Sequence, residues 1–289
     1  MVPTKERNVS AVFVQYKNQG ILFDCGEGTQ RQMNIAGIKR TSVTKVFLSH
    51  WHGDHVGGLI GLLQTLGNEE ANPRLEIYGP TGTKQRMENL LKTCQFELSV
   101  DIIVKELKPV KKEICCETED FFVECAQMEH KVSCIGYTLV EKDKRKINMD
   151  YLKKQGVPEG PHLRTLQEGK QITWKRKKIA VEKATFVQKG KKIAYVIDTI
   201  PCTNAVLLAQ DADVLICEST FASALKEKAD EYKHMTAKDA ALLAQQANAK
   251  KLILTHFSQR YKTTHEIEED AKTYFPEVVC AYDFMKIKV

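Results

Sequence analysis

Two hydrophobic periods alternate along this chain. Short apolar or β-branched runs at 11–16, 21–24, 44–48, 75–78, 102–107, 121–125 and 133–140 are bounded by turn-forming or charged residues, and they read as strands. The first two flank Lys17-Asn18-Gln19-Gly20, which reads as a hairpin turn containing its glycine. Runs at 192–197, 214–217 and 251–255 repeat the mode, each ending at polar residues. Segments of helical character lie between them at 57–66, 82–93, 236–248 and 263–274. Thr236 followed by Asp239 has the spacing of a reciprocal N-terminal cap, and Pro276 lies just beyond the last helix. Strands alternating with helices predict an α/β protein, and the antiparallel hairpins keep it from being purely doubly wound.

One stretch breaks this rhythm. Residues 141–183 contain Gly156-Val157-Pro158-Glu159-Gly160-Pro161, many charges and few apolar positions, which reads as an excursion from the core. The expected organisation is a single domain over 1–289 with 142–182 as an inserted flexible arm.

Composition narrows the class. A hydrophobic fraction of 43% in 289 residues supports a true core, and no apolar run comes close to the ~18 residues of a membrane span. The polar start, Met1-Val2-Pro3-Thr4-Lys5-Glu6-Arg7, lacks a signal-peptide core, so the expected location is the cytoplasm. Nine cysteines, an odd number with no C-x-x-C pair, argue against a disulfide framework and against a ribbon-type zinc site. The net charge of +6 is unevenly spread: 144–178 holds eleven Lys/Arg against Asp150, Glu159 and Glu168. Such a local excess attracts polyanions and gains binding energy by releasing their counterions, although a solvated lysine-rich hairpin has the same composition.

The strongest chemical signal is Ser49-His50-Trp51-His52-Gly53-Asp54-His55. Where a strand opens into a loop, alternate residues such as His50 and His52 can point the same way, and Asp54 and His55 can face a second point. Imidazole and carboxylate suit zinc and similar borderline metals. A lone histidine is more often structural than a ligand, but three histidines and an aspartate within six residues make a metal site the expectation. Trp51 is expected to pack beside that site, with base stacking a secondary role, while His162 and His265 read as surface residues.

His-x-His-x-Asp-His after an apolar strand resembles the metal motif of the metallo-β-lactamase superfamily. Further segments resemble the ribonuclease Z family, short-form endonucleases that process the 3′ ends of tRNA. These are 3–10, Phe23-Asp24-Cys25-Gly26-Glu27-Gly28-Thr29-Gln30, His130 followed by Gly136-Tyr137, Ile197-Asp198-Thr199, and Thr255-His256-Phe257-Ser258-Gln259-Arg260-Tyr261, in the family's order. Two departures stand out. The resemblance leads to the expectation that the family's first β-strand is absent, or not included, ahead of Met1, and Cys217-Glu218-Ser219-Thr220 stands where the family has His-Glu-Ala-Thr.

The resemblance implies a four-layer αββα sandwich with a protruding basic arm. It implies two zinc ions, the first on His50, His52 and His130, the second on Asp54, His55 and His256, with Asp198 bridging. Asp54 would orient or deprotonate the attacking water, and Asp24 would fix a ligand histidine from behind, where a bland reading makes it a turn residue capping Gly26. His234, paired with Glu218, would protonate the leaving 3′ oxygen. The arm, with Gly156, Pro158, Gly160, Pro161, Arg164, Lys170, Lys175, Arg176, Lys177 and Lys178, would hold precursor tRNA through its phosphates. A homodimer is implied by the family alone. Another hydrolase of the same fold, acting on a cyclic nucleotide, thioester or lactone, is the alternative, as is a catalytically inactive relative.

Overall fold

The computed structural model describes residues 1–68, 73–95 and 99–289. They form two compact units: Met1–Glu117 with Val123–Leu139 and Lys192–Val289, and Thr118–Phe122 with Val140–Lys191.

The first unit is built on two sheets. One has five strands in the order Val12–Tyr16, Gln19–Phe23, Val43–Phe47, Arg74–Pro80, Asp101–Leu107. The first pair is an antiparallel hairpin and the rest are parallel. The hairpin loop is Lys17-Asn18, because Tyr16 pairs with Gln19. Gly20 is therefore not the turn residue that the sequence implied. It lies in the strand, where a Cβ would sit 2.7 Å from both the Phe13 ring and the Ser42 carbonyl oxygen. The other sheet runs Val278–Cys280, Leu252–Thr255, Val214–Glu218, Lys192–Val196, Cys134–Glu141, Phe121–Met128, Glu113–Glu117. Its first four strands are parallel.

Aromatic side chains join the sheets. Phe23, Phe47 and Tyr78 stack on the inner face of one, and Tyr137 and Tyr195 meet them from the other with ring centroids 5.3–6.1 Å apart. All five are buried, and each pair adds about 0.5–1.5 kcal/mol beyond its area. Helices cover the outer faces. Leu59–Gly67 buries Leu59, Leu62, Leu63 and Leu66, the spacing of one helical stripe, in a cluster with Leu22, Val46, Leu75 and Ile77. Ala237–Gln246 buries mostly alanines in a cluster with Val196, Leu215 and Leu252, and it opens with the reciprocal Thr236–Asp239 cap. The result is the expected helix–sheet–sheet–helix order. The segment read as one helix at 57–66 is two pieces, Gly53–Val56 and Leu59–Gly67, because Gly57 and Gly58 let the chain turn against its neighbour.

The second unit has its own small core. Leu152, Val157, Leu166, Ile179, Val181 and Ala184 are buried, with Tyr151, Leu163 and Trp174 packed around them. Lys144–Ile147 pairs with Thr185–Gln188, and Ile172–Trp174 pairs with Lys177–Ile179. The apolar residues of this stretch are few but spaced to meet, which a count of its charges hides.

Candidate metal centre

The candidate residues sit where strands end. Asp24 follows Gln19–Phe23, His50 and His52 follow Val43–Phe47, Asp198 follows Lys192–Val196, and His256 follows Leu252–Thr255. Three of them hold left-handed backbone: Asp24 at φ 56°, Asp198 at φ 50° and His256 at φ 60°. Such angles cost a non-glycine residue about 1–2 kcal/mol, so their clustering at one place marks it as functional. Two glycines bring the loops together. A Cβ on Gly26 would lie 2.3 Å from the Asp54 carbonyl oxygen, and one on Gly58 would lie 2.2 Å from that of Gly26. The glycine-rich segment after Asp24 thereby packs directly on the Asp54–Gly58 turn.

Seven side chains from distant parts of the chain converge. Donor atoms of His50, His52, His130 and Asp198 lie within 4.8 Å of one another, and so do those of Asp54, His55 and His256. The Asp198 carboxylate is the common point. The Nε2 atoms of His256, His50, His55 and His130 stand 3.2, 3.3, 3.5 and 3.9 Å from its oxygens.

The other ring nitrogen of these histidines has a partner outside the cluster. His55 Nδ1 donates to Asp24 Oδ2 at 2.7 Å, His130 Nδ1 to the Lys233 carbonyl at 3.1 Å, and His256 Nδ1 reaches Thr220 Oγ1 at 3.0 Å. Thr220 Oγ1 itself donates to Glu218 Oε2 at 2.7 Å, so it accepts from His256. His50 Nδ1 lies 3.0 Å from Ser49 Oγ. These bonds fix the tautomers and leave lone pairs aimed inward.

The donor set fits divalent cations. Buried His55 Nε2, His130 Nε2 and Asp198 Oδ1 have no hydrogen-bond partner, although charged neighbours lie close to them. Burial pushes His50 down to about 2 and lowers His52 and His130, which keeps them as neutral donors. Burial also works against a charged His55, but Asp198 and Asp24 outweigh it and raise it well above the usual histidine range. Burial raises Asp54, yet hydrogen bonds from His256 and His55 bring it well below the usual carboxylate range. Asp24, Asp54 and Asp198 all lie within 3.5 Å of the His55 ring nitrogens, so the pocket carries an excess of negative charge that a cation would balance.

Asp24 is a hub rather than a turn cap. Its Oδ1 accepts the Ser49 N–H at 2.7 Å, and its Oδ2 accepts Ser49 Oγ, His55 Nδ1 and the Tyr195 hydroxyl at 2.7–2.8 Å. Glu218, fully buried, is a second hub: it accepts from Thr199 N at 2.6 Å, Met235 N at 3.1 Å, Thr220 Oγ1 and His234 Nδ1 at 3.0 Å. His234 is desolvated, which lowers its pKa, but the Glu218 carboxylate raises it further. Its ring stands 5.2 and 5.4 Å from those of His130 and His256, and its reach to Asp198 and His256 would also let it serve as a ligand. Reading the sequence missed Ser49, Thr220 and Tyr195. The first two lie inside the segments that carry the histidines and Glu218, whereas nothing local marks Tyr195.

Trp51 donates to Thr83 Oγ1 at 2.9 Å and carries the Arg86 guanidinium 5.9 Å from its ring. His265 is exposed, but His162 is half-buried and stacks on Trp174 with centroids 4.9 Å apart. In the second unit, Trp174 Nε1 donates to the Gly156 carbonyl at 2.9 Å, tying the Gly156–Pro161 loop to the hairpin. Lys175 and Arg176 form that hairpin's tip, both with positive φ, and Lys177 and Lys178 follow them, all four exposed. Arg164 and Lys170 are exposed and lie within 4 Å of Glu168, while Pro158 and Pro161 complete the loop.

Known proteins resemble the chain throughout. The sequence model of the metallo-beta-lactamase superfamily matches residues 4–97. Ribonuclease Z of Archaeoglobus fulgidus is 39% identical over the whole chain and 94% of that protein. Ribonuclease Z of Methanothermobacter thermautotrophicus is 38% identical over the whole chain and 93% of that protein. The crystal structure of the short form of human tRNase Z superposes with a TM-score of 0.72 at 29% identity, covering all of this chain and 95% of that one. Among the described residues no helix is long and apolar enough to cross a membrane. The chain thus has the metallo-β-lactamase fold and belongs to the ribonuclease Z family of endoribonucleases.

Proposed function

We propose that the protein removes the 3′ trailer from precursor tRNA by a single endonucleolytic cut, leaving a 3′ hydroxyl on the tRNA and a 5′ phosphate on the trailer. His50, His52 and His130 would hold one zinc ion and Asp54, His55 and His256 a second, with Asp198 shared between the two donor sets. When bound there, two such cations would supply Lewis acidity for a water and for the charge on the phosphoryl oxygens. Asp54, kept anionic, orients the attacking water. His234 stores a proton on Nε2 while Glu218 grips Nδ1, and it gives that proton to the leaving 3′ oxygen. Asp24 fixes His55 from behind. The basic loop and hairpin of the second unit hold the tRNA by its phosphates, selecting shape rather than sequence. The active form is a cytoplasmic homodimer.

The observation that carries this reading is the His234–Glu218 pair beside the seven-donor cluster. A buried carboxylate that raises the pKa of a histidine at the mouth of a metal site is the arrangement a general acid needs. The test is incubation with a 3′-extended precursor tRNA, with and without chelator, and mapping of the product ends. One cut at the tRNA 3′ end, abolished by chelator, is the expected result. Hydrolysis of cyclic nucleotides, thioesters or lactones with the precursor left intact would favour another hydrolase of this fold, and no hydrolysis at all an inactive relative.

A further inference from the structure

Two chain segments rim the candidate general acid. His130 is followed by Lys131, and His234 is preceded by Tyr232 and Lys233. The segments are tied together: His130 Nδ1 donates to the Lys233 carbonyl, and Lys233 holds a left-handed φ of 58° that ends the helix Lys226–Tyr232. Tyr232, the last residue of that helix, is 44% exposed. The ammonium of Lys131, itself exposed, lies over the ring at 4.8 Å from its centroid. A single exposed aromatic is ordinary on a protein surface and points to nothing by itself. Here it carries a cation and begins two residues from His234, so its Cα lies within about 7 Å of that histidine's.

We propose that Tyr232 and Lys131 form the subsite for the nucleotide whose 3′ oxygen leaves. An aromatic face with an adjacent cation is the chemistry that receives an unpaired nucleotide: the base stacks on the ring and the ammonium meets its phosphate. The assignment to the leaving-group side follows from His234, which serves that oxygen and lies two residues beyond Tyr232 and close to His130, the neighbour of Lys131. It rests on the reading of the protein as a nuclease of precursor tRNA with His234 as the acid. The ring can stack any base, so the subsite demands an unpaired base without specifying which one.

The test compares precursor tRNAs carrying either a base or an abasic ribose immediately 5′ of the scissile phosphate, in single-turnover cleavage. The wild-type enzyme should cleave the natural substrate about tenfold or more faster than the abasic one at limiting enzyme, the usual worth of one stacked base. Tyr232→Ala should bring that ratio close to one, and Tyr232→Phe, which keeps the ring, should restore it. Because each ratio is taken within one protein, a general loss of activity does not disturb it. An undiminished ratio in Tyr232→Ala, or a ratio near one in the wild type, overturns the subsite. If the wild type leaves the natural precursor uncut, the proposed function falls instead.

Discussion

Asp24→Asn separates what holds the site together from what tunes it. In the wild type one carboxylate accepts four hydrogen bonds, from Ser49 N, Ser49 Oγ, His55 Nδ1 and the Tyr195 hydroxyl. Asparagine has one oxygen. Placed where Oδ2 stands, it keeps three of those donors as neutral bonds and turns its amide donors toward the Ser49 N–H. A hydrogen bond to a charged group contributes about 1.5–3 kcal/mol and a neutral one about 0.5–1.5, so three such changes cost about 3 kcal/mol, with about 1–3 more for the stranded N–H. No longer burying a charge offsets part of this, leaving a net loss of about 2–4 kcal/mol. For 289 residues the unfolding entropy is about 0.6 kcal/mol/K, so the melting temperature should fall by about 3–7 °C. The metal should respond as well: His55 loses the carboxylate that orients it, and affinity should fall about 10–100-fold. Tyr195→Phe is the control. It deletes one donor to Asp24 and keeps the ring against Phe23, so it should cost about 1.5–3 kcal/mol of stability while leaving zinc affinity near wild type. The assay is thermal melting in parallel with zinc titration of chelator-treated protein against a chromophoric competitor. Wild-type zinc affinity in Asp24→Asn refutes the argument that Asp24 acts through His55.

Other consequences follow from the same geometry. His52→Ala should abolish cleavage of precursor tRNA and lower bound metal; full activity in that variant would remove His52 from the site. Glu218→Gln should shift the alkaline limb of the kcat profile to lower pH. The acid His234 is present below its pKa and lost as pH rises through it, and the Glu218 charge is what raises that pKa; an unmoved limb contradicts the pairing. Reversing Lys175 and Arg176 to glutamate should raise KM for precursor tRNA and flatten its salt dependence by about one to two in the log–log slope, with a small phosphodiester unaffected. A salt slope equal to wild type would take that hairpin off the RNA path.

Much of this site could be read before any coordinates, because a metal motif compresses its chemistry into a few adjacent residues. His50, His52, Asp54 and His55 announce themselves in six positions. His130, Asp198 and His256 do not: each is a single polar residue after a strand, identified only by resemblance; the parallel strands Lys192–Val196 and Leu252–Thr255 carry Asp198 and His256 to the same end of their sheet, and His130 reaches it from the loop between Phe121–Met128 and Cys134–Glu141. Tyr195 was invisible, since a tyrosine in an apolar strand reads as core, and it is core in every atom but its hydroxyl. Gly20 misled because the sequence offers no sign that a strand glycine is needed for contact with Phe13 rather than for a turn. The core of the second unit was hidden by charge: Leu152, Val157 and Leu166 are separated by polar residues, and they meet only when short helices and a hairpin fold over them. Alternation and helical stripes forecast elements well where burial is one-sided, and poorly in such small units.

In the proposed function seven side chains make a two-cation centre that cuts RNA. Its most direct test is to strip the protein with chelator, return zinc in measured equivalents, and follow cleavage of a 3′-extended precursor tRNA. Activity should be absent at zero equivalents and rise to a plateau at two per chain. Cleavage that persists in the stripped protein, or a plateau reached with no zinc retained, would contradict it.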